Sequence, residues 1–314
     1  MSELDNGSMP NGFWASKRRA EKYTKIGVSI VLFVGAIFMM LPILWMISAS
    51  FKDPNDVFKS FLPTSFHPEN YTNAWNIIEP HSGRAMHPNE DWDIFGIITI
   101  HGINFTTYVV NTLIIAIATT IGTTLSASIV AFAFARLRFP GRGPLFILCL
   151  ATMMVPAQVT MIPTYILWNS LHAINTFWPL ILPSFLGGGA YNIFLLRQFF
   201  MSIPYEMDEA AKIDGCTNWG VYWRILLPLC KPALTTVAVF SFVYNWNDFM
   251  SPLIYLSDES KYTLALGLQN FCSLYGNNYP LLMAASLLML IPIALIFLVG
   301  QRYFIQGIAT TGLK

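Results

Sequence analysis

The chain has 314 residues, of which 54% are hydrophobic, 15% aromatic and 11% charged, whereas soluble domains carry roughly 25% charged residues. Eighteen Lys and Arg against 17 Asp and Glu leave a formal charge of +1, so no strong net field points to nucleic acid or to an acidic partner. These figures exclude an ordinary soluble domain, a disordered chain and a low-complexity fibre, and they fit one bundle of membrane helices.

Residues 1–25 form a basic N-terminal segment with Lys17, Arg18, Arg19, Lys22 and Lys25. The 23 residues from Ile26 to Ser48 then carry no ionisable side chain and reach about 34 Å as a helix, enough to cross a bilayer with some tilt. That run is too long for a typical signal-peptide core, although Ser48-Ala49-Ser50 leaves a cleavage site open. Further apolar stretches at 107–134, 145–168, 177–196, 232–249 and 281–300 predict six spans in all, separated by clustered charge, Pro and Gly. The stretches are too long, and lack the polar alternation, for the strands of a membrane barrel.

Six spans place both termini on one side. Lys52, Lys59, Arg84 and Lys261 are then the only four basic residues on the other side, against fourteen on the side of the termini. The excess of basic residues predicts cytoplasmic termini. The first outer loop, 49–106, is acidic and too long for a simple hairpin; it is expected to fold on the outer membrane surface or a partner, with Trp45, Trp75 and Trp92 as interface anchors. Sequons at Asn70 and Asn104 imply no glycan by themselves.

Within the spans, the Thr and Ser residues from Thr119 to Ser128 either line a passage or let helices approach closely, and packing is favoured for most. Pro156 and Pro163 in the third span predict a kinked helix covered by its neighbours. Asn111, Tyr244, Asn245, Trp246, Asn247 and Asp248 are candidates for a polar substrate path, because sugars combine hydroxyl hydrogen bonds with ring-face contacts. Helix packing and boundary anchoring are the competing role for the same residues.

The connection 197–231 is the longest on the side of the termini. Ser202 and Pro204 suit a helix start, and Glu206, Asp208 and Glu209 place acid at its positive end. Asp208 and Lys212 are four apart and are expected to face each other in an exposed setting. Gly215 stops this helix, and a second begins near Asn218 and runs to the break at Leu227-Pro228. No His or nucleophile joins the carboxylates, so catalysis by them is not expected. Cys149, Cys216, Cys230 and Cys272 form no CxxC pair or Cys/His cluster.

Glu209-Ala210-Ala211, Gly215 and then Ile225-Leu226-Leu227-Pro228 reproduce the EAA...G.........I.LP pattern of the inner-membrane permease subunits of binding-protein-dependent ABC importers. FLLRQFFMSIPYEMDEAAKIDG, YNWNDFMSPLIYL and QRYFIQG resemble the carbohydrate-uptake branch, in particular the second permease of maltose or glycerol-phosphate type systems. The resemblance implies an all-α polytopic protein of the type I ABC importer permease fold. Its transmembrane domain is 26–300, including the coupling loop 197–231, and 301–314 form a cytoplasmic tail. It also implies that Glu209, Ala210, Ala211 and Gly215 form a coupling core seated on a separate ATPase, with Ile225, Leu227 and Pro228 guiding the return into the membrane.

The implied partners are a homologous permease forming a heterodimer, two ATP-binding subunits that hold ATP and Mg, and an extracytoplasmic solute-binding protein, in a bacterial cell membrane. No cofactor is expected in this chain: it has no G-x-x-x-x-G-K-[ST] sequence, and Gly187-Gly188-Gly189 lacks the Lys-Ser/Thr that would follow. The sequence departs from the family in having Tyr205 where relatives commonly carry a basic residue, and in an enlarged stretch at His81–Asp93. The substrate expectation is a sugar or sugar-like solute, mildly a neutral one, since the spans carry no Arg or Lys. The alternatives are a secondary carrier or channel, a permease for a non-carbohydrate substrate, and an intramembrane enzyme. A carrier needs titratable groups in the bundle, and an enzyme needs clustered nucleophiles.

Overall fold

Apolar segments of this length can satisfy their backbone in lipid only as helices or closed barrels, and a computed structural model of the chain shows helices. It describes residues 11–76, 91–94, 98–101, 105–273 and 278–311. Residues 81–90 of the enlarged stretch, the Asn104 sequon and the side chains of Trp92, Cys272 and 302–314 lie outside the described residues.

The elements are α1 (Asn11–Ser50), α2 (Glu69–Asn76), β1 (Asp91–Ile94), β2 (Ile98–His101), α3 (Phe105–Arg136), α4 (Arg142–Ala151), α5 (Ala157–Ser170), α6 (Trp178–Ile181), α7 (Ala190–Ser202), α8 (Glu206–Ile213), α9 (Asn218–Val221), α10 (Leu227–Leu229), α11 (Lys231–Trp246), α12 (Met250–Tyr255), α13 (Leu264–Ser273) and α14 (Tyr279–Thr311). One departure from an all-α chain is the antiparallel β1–β2 hairpin, in which Asp91 faces His101 and Ile94 faces Ile98. β2, with Ile98, Thr99 and Ile100, has the β-branched composition that favours a strand.

Four helical stretches, Glu21–Ser50, Phe105–Arg136, Trp178–Ser202 and Tyr279–Gln301, are each long and apolar enough to cross a membrane; two bent pairs bring the number to six if each is one span. The expected kinked third span is a break: α4 and α5 meet at 98°. A 3-10 turn at Thr152–Met154 ends in extended Val155, and Pro156 caps α5 with φ −61° and ψ 135°. The residue before a proline is pushed to extended backbone, which ends the helix there, whereas Pro163 is tolerated inside α5.

The bundle is organised around α3, which packs against α7 and α11, while α14 packs on α1 and α11. Small residues make the close approach possible: Ala116, Ala127, Ala131, Ala233, Ala284 and Ala285 are fully buried. Several serine and threonine hydroxyls of α3 turn back to the helix, as in Thr112 to the Tyr108 carbonyl at 2.7 Å and Thr119 to Ile115 at 2.7 Å, whereas the buried hydroxyls of Thr120 and Thr124 have no hydrogen-bond partner among the described residues. Ser126 also donates to the Ser184 carbonyl at 2.8 Å. Thr119 and Thr123 also line a cavity within the bundle.

The segment after α1 folds onto the protein's own helices, with α2 against α14 and α3. Lys52, 1% exposed, acts as a strut, donating to the carbonyls of Val57 at 3.2 Å and Ser60 at 2.5 Å. The Asn70 amide donates to the carbonyls of Ser50 and Lys52 at 2.9 and 3.0 Å. Both of its protons are used and the residue is buried, so this sequon is closed to a glycan.

Candidate coupling site and polar cavity

Two features stand out: the surface formed by α8–α10, and a cavity within the bundle. Helix α8 begins at Tyr205 without a side-chain cap. The expected cap, Ser202, is instead the last residue of α7 and donates to the Phe199 carbonyl at 2.8 Å. The helix stops as expected: Cys216 N–H donates to the Ala211 carbonyl at 2.9 Å and Gly215 N–H to Lys212 at 3.0 Å, with Gly215 at φ +83°. This is the double hydrogen bond of a left-handed helix terminus. Thr217 then caps α9 by accepting from Gly220 N–H at 3.2 Å.

The second helix does not stop at Leu227-Pro228. A π-turn over Tyr222–Leu226 lets Leu227 N–H reach the Tyr222 carbonyl, and the chain stays helical to Leu229. The wider turn accommodates the missing Pro228 donor. The bend to α11, 77°, falls at Cys230 instead.

Gly215 meets nothing within 4 Å where a Cβ would stand, so only its backbone conformation requires glycine. Gly215→Ala is expected to cost about 1–2 kcal/mol, and Gly215→Asn less, since Asn tolerates the left-handed region. Thermal melts of the two variants check this, and equal losses would contradict the conformational cause.

Asp208 is neither exposed nor paired with Lys212. It is 2% exposed, and its Oδ2 lies 3.2 Å from Nε of Arg136 at the end of α3. The i+4 spacing put Lys212 on the same helix within reach, but Asp208 faces inward and meets a cation from another element. Arg136 donates to the Ile203 carbonyl at 2.8 Å, and among the described residues Asp208 Oδ1 has no hydrogen-bond partner. Burial raises the Asp208 pKa above the ordinary carboxylate value, against the opposing pull of Arg136 and Lys212. Tyr205 lies beneath both cations, 5.7 Å from the Arg136 guanidinium and 5.9 Å from the Lys212 ammonium. An aromatic face thus fills the position where relatives commonly carry a base.

The predicted coupling residues divide between two faces. Glu209, Ala210 and Gly215 are exposed, and Pro228 lies on the surface after them. Ala211 is buried against the bundle in a cluster with Phe132, Leu196, Phe200 and Tyr222, on which Ile225 and Leu227 also pack. The small Ala211 side chain therefore allows close approach to the protein's own helices. Ser128 and Tyr222 share a hydrogen bond of 2.7 Å, a second tie from α3 to the α8–α10 segment. The exposed face adds Met207, Ile213 at 86% exposure, Trp219 and Trp223. Sequence reasoning missed these, although apolar residues at 207 and 213 on a polar helix were the available signal.

A cavity of about 560 Å³ lies between α3, α5, α7, α11 and α12. Its wall includes Thr119, Trp168, Asn192, Tyr244, Asn245 and Asp248. Three of the six substrate-path candidates thus reach it. Asn111, Trp246 and Asn247 do not line it. Asn111 donates to the Ser260 and Tyr262 carbonyls at 2.8 and 3.0 Å, tying α3 to the segment before α13. Trp246 is fully buried and donates to the Met289 carbonyl at 3.1 Å, and Asn247 turns back to Val243 at 2.8 Å. Asn111 and Trp246 are buried and tie neighbouring elements together, the competing role set against them, whereas Asn247 is exposed. Gly187, Gly188 and Gly189, all at positive φ, interrupt the fourth span beside the cavity. Among the described residues no group of three or more His, Cys, Asp or Glu could hold a metal.

The chain is thus a multi-pass helical bundle with α8 seated on the end of α3 and a cavity between its helices. Residues 123–310 match the family described as "Binding-protein-dependent transport system inner membrane component". The "Probable ABC transporter permease protein YurM" of Bacillus subtilis (strain 168) is 33% identical over 299 residues, covering 95% of this chain and 91% of the relative. The "Arabinooligosaccharides transport system permease protein AraQ" of Halalkalibacterium halodurans is 32% identical, covering 92% of this chain and 95% of the relative. A crystal structure of a bacterial ABC transporter involved in the import of the acidic polysaccharide alginate matches with TM-score 0.71 at 23% identity, covering 91% of this chain and 98% of that chain. The protein belongs to the binding-protein-dependent transport system inner membrane component family and has the ABC importer permease fold.

Proposed function

We propose that this permease forms half of the translocation path of an ATP-driven importer of a sugar-like solute, and that α8 receives the force of a separate ATPase. The observation that carries this reading is the seat of α8. An inward ion pair and a packed cluster fix it to the end of α3, while Met207, Glu209, Ala210 and Ile213 remain outside. Displacement of a rigid element held in this way moves α3 with it, and α3 walls the cavity. The assembly proposed is a type I importer: a heterodimer with a homologous permease, two ATP-binding subunits holding ATP and Mg, and an extracytoplasmic solute-binding protein. Both termini then face the cytoplasm, consistent with the excess of basic residues on their side.

The AraQ name supports an oligosaccharide. Asn245 and Tyr244 supply amide and ring contacts, and the cavity lining contains no Lys or Arg, which favours a neutral sugar. Tyr244, Asn245 and Asp248 are the residues proposed to meet it.

Three experiments test this. In the purified complex, neutral oligosaccharides with the solute-binding protein are expected to stimulate ATP hydrolysis, and stimulation by amino acids alone would overturn the substrate class. A Met207→Glu/Ile213→Glu variant is expected to insert normally but to lose most ATPase co-purification, because it places two desolvated charges in an apolar contact. Unchanged co-purification would remove α8 from the interface. Glu209→Gln is expected to lower uptake more than assembly.

A further inference from the structure

We propose that Asn175 is the clasp of an outer gate: it holds the connection between α5 and α6 to the segment after α12, shuts the cavity at that end, and lets go when solute enters. The proposal rests on the orientation given under the proposed function, which puts residues 171–177 and 256–263 on the same, outer side. Asn175 joins the two segments. Its N–H donates to the Tyr255 carbonyl at 2.8 Å, and its carbonyl accepts from the Lys261 ammonium at 3.0 Å. Its Oδ1 accepts from Ser257 N–H at 3.2 Å and from Asp258 N–H at 3.1 Å. Asn175 makes these contacts from a φ of +60°, a backbone that Asn tolerates better than most residues.

Packed beside the clasp, Trp168, Ala173 and Tyr255 form a small apolar cluster with Ile174, Leu180 and Ile254. Trp168, Leu180 and Tyr255 also line the cavity, so the cluster is its end wall, built from the two sides that Asn175 joins. Two buried polar atoms of residues in the cavity wall, Trp168 Nε1 and Thr263 Oγ1, have no hydrogen-bond partner among the described residues. Leaving such atoms unpaired costs free energy, which parting the wall recovers by admitting water or a solute hydroxyl. The shut wall is held against that cost. The segment 258–264 has a second anchor of a different kind. Asn111 of α3, 1% exposed, donates to the Ser260 and Tyr262 carbonyls, and Thr112 accepts from Leu264 N–H at 2.7 Å. That joint is buried and stays with α3. The Asn175 joint is half-buried beside exposed Ser257, where water can replace its bonds, so it is the one that opens. Displacement of α3 by α8 therefore draws 258–264 away from Asn175.

The test uses the intact complex, with the four native cysteines of this chain replaced by alanine and Thr164→Cys as a probe in the cavity wall. A membrane-impermeant maleimide is applied to one face of the membrane at a time. Asn175→Gly removes the side-chain acceptor and keeps the backbone conformation. It is expected to speed labelling of the resting complex from outside roughly three- to tenfold, and to raise ATP hydrolysis without the solute-binding protein while uptake per ATP falls. Asn175→Asp keeps an acceptor and tolerates the same backbone, so it should stay near the parent values. Unchanged labelling in Asn175→Gly, an equal rise in Asn175→Asp, or a parallel fall of ATP hydrolysis and uptake in Asn175→Gly would each overturn the clasp, and alone if the parent complex shows ATP-driven uptake. Labelling only from the cytoplasmic face would overturn the outer gate together with the orientation on which it rests.

Discussion

Replacing Asp208 with Ala is expected to destabilise the seat of α8 by about 3–5 kcal/mol, whereas replacing Arg136 with Leu should cost less, and by an amount that depends on pH. The asymmetry follows from what each partner can do alone. Arg136 is 7% exposed at its side chain and cannot shed its proton at any accessible pH. Without Asp208 it is a buried charge held only by the Ile203 carbonyl and the face of Tyr205. Asp208 can neutralise itself by taking a proton. Its pKa is already raised by burial, against the lowering effects of Arg136 and Lys212. Removing Arg136 takes away the first of those, so the folded-state pKa rises further above the unfolded one. The folded form then holds the proton more tightly, and stability that is fully present below the unfolded pKa is lost as pH rises through the folded one. Thermal melts of the purified complex should show the Arg136→Leu deficit shrinking from pH 8 to pH 5. A deficit that grew on acidification would contradict this account.

The second large effect is expected at Gly188. Two independent obstacles meet there: a φ of +67°, and a Cβ position that overlaps the Thr123 carbonyl oxygen and lies 2.9 Å from the Ala127 Cβ. The left-handed backbone costs an ordinary residue about 1–2 kcal/mol, and forcing apart packed helices adds about 1–3 kcal/mol. The obstructing atoms include backbone of α3, which cannot rotate away as a side chain tip would. Gly188→Val is therefore expected to lose roughly 2–5 kcal/mol in melts and most uptake. Gly187→Ala is the control: its φ is +109° and nothing lies within 4 Å of its Cβ position, so only the backbone contribution applies. Similar losses at the two positions would assign the effect to conformation alone and remove the contact with Thr123 as a cause.

The helical character of the bundle and the position of α8 were legible in the linear chain because each depends on near neighbours. A charge-free run decides that its backbone bonds must close internally, and Gly215 ends α8 through a turn spanning a few residues. The third span was less legible. Its two prolines predicted one kinked helix, whereas the chain breaks at Val155-Pro156 and turns by 98°. A proline removes a local hydrogen bond, but the packing of the flanking helices sets how far the chain then turns.

The same division separates the substrate-path candidates. Tyr244, Asn245, Trp246, Asn247 and Asp248 are adjacent in sequence, yet 100° per residue around a helix sends Trp246 into the core and Tyr244 to the cavity. Composition and hydropathy, with the spacing from Glu209 to Pro228, determined that this is a polytopic permease with a short helix over 206–213 stopped at Gly215, since those properties are carried by residues a few positions apart. Which cation holds Asp208, which alanine of the Glu209-Ala210-Ala211 run faces inward, and which polar side chains reach the cavity were decided only by tertiary structure. Those outcomes depend on α3, more than 60 residues away in sequence, and an electrostatic or packing partner is selected by distance in space.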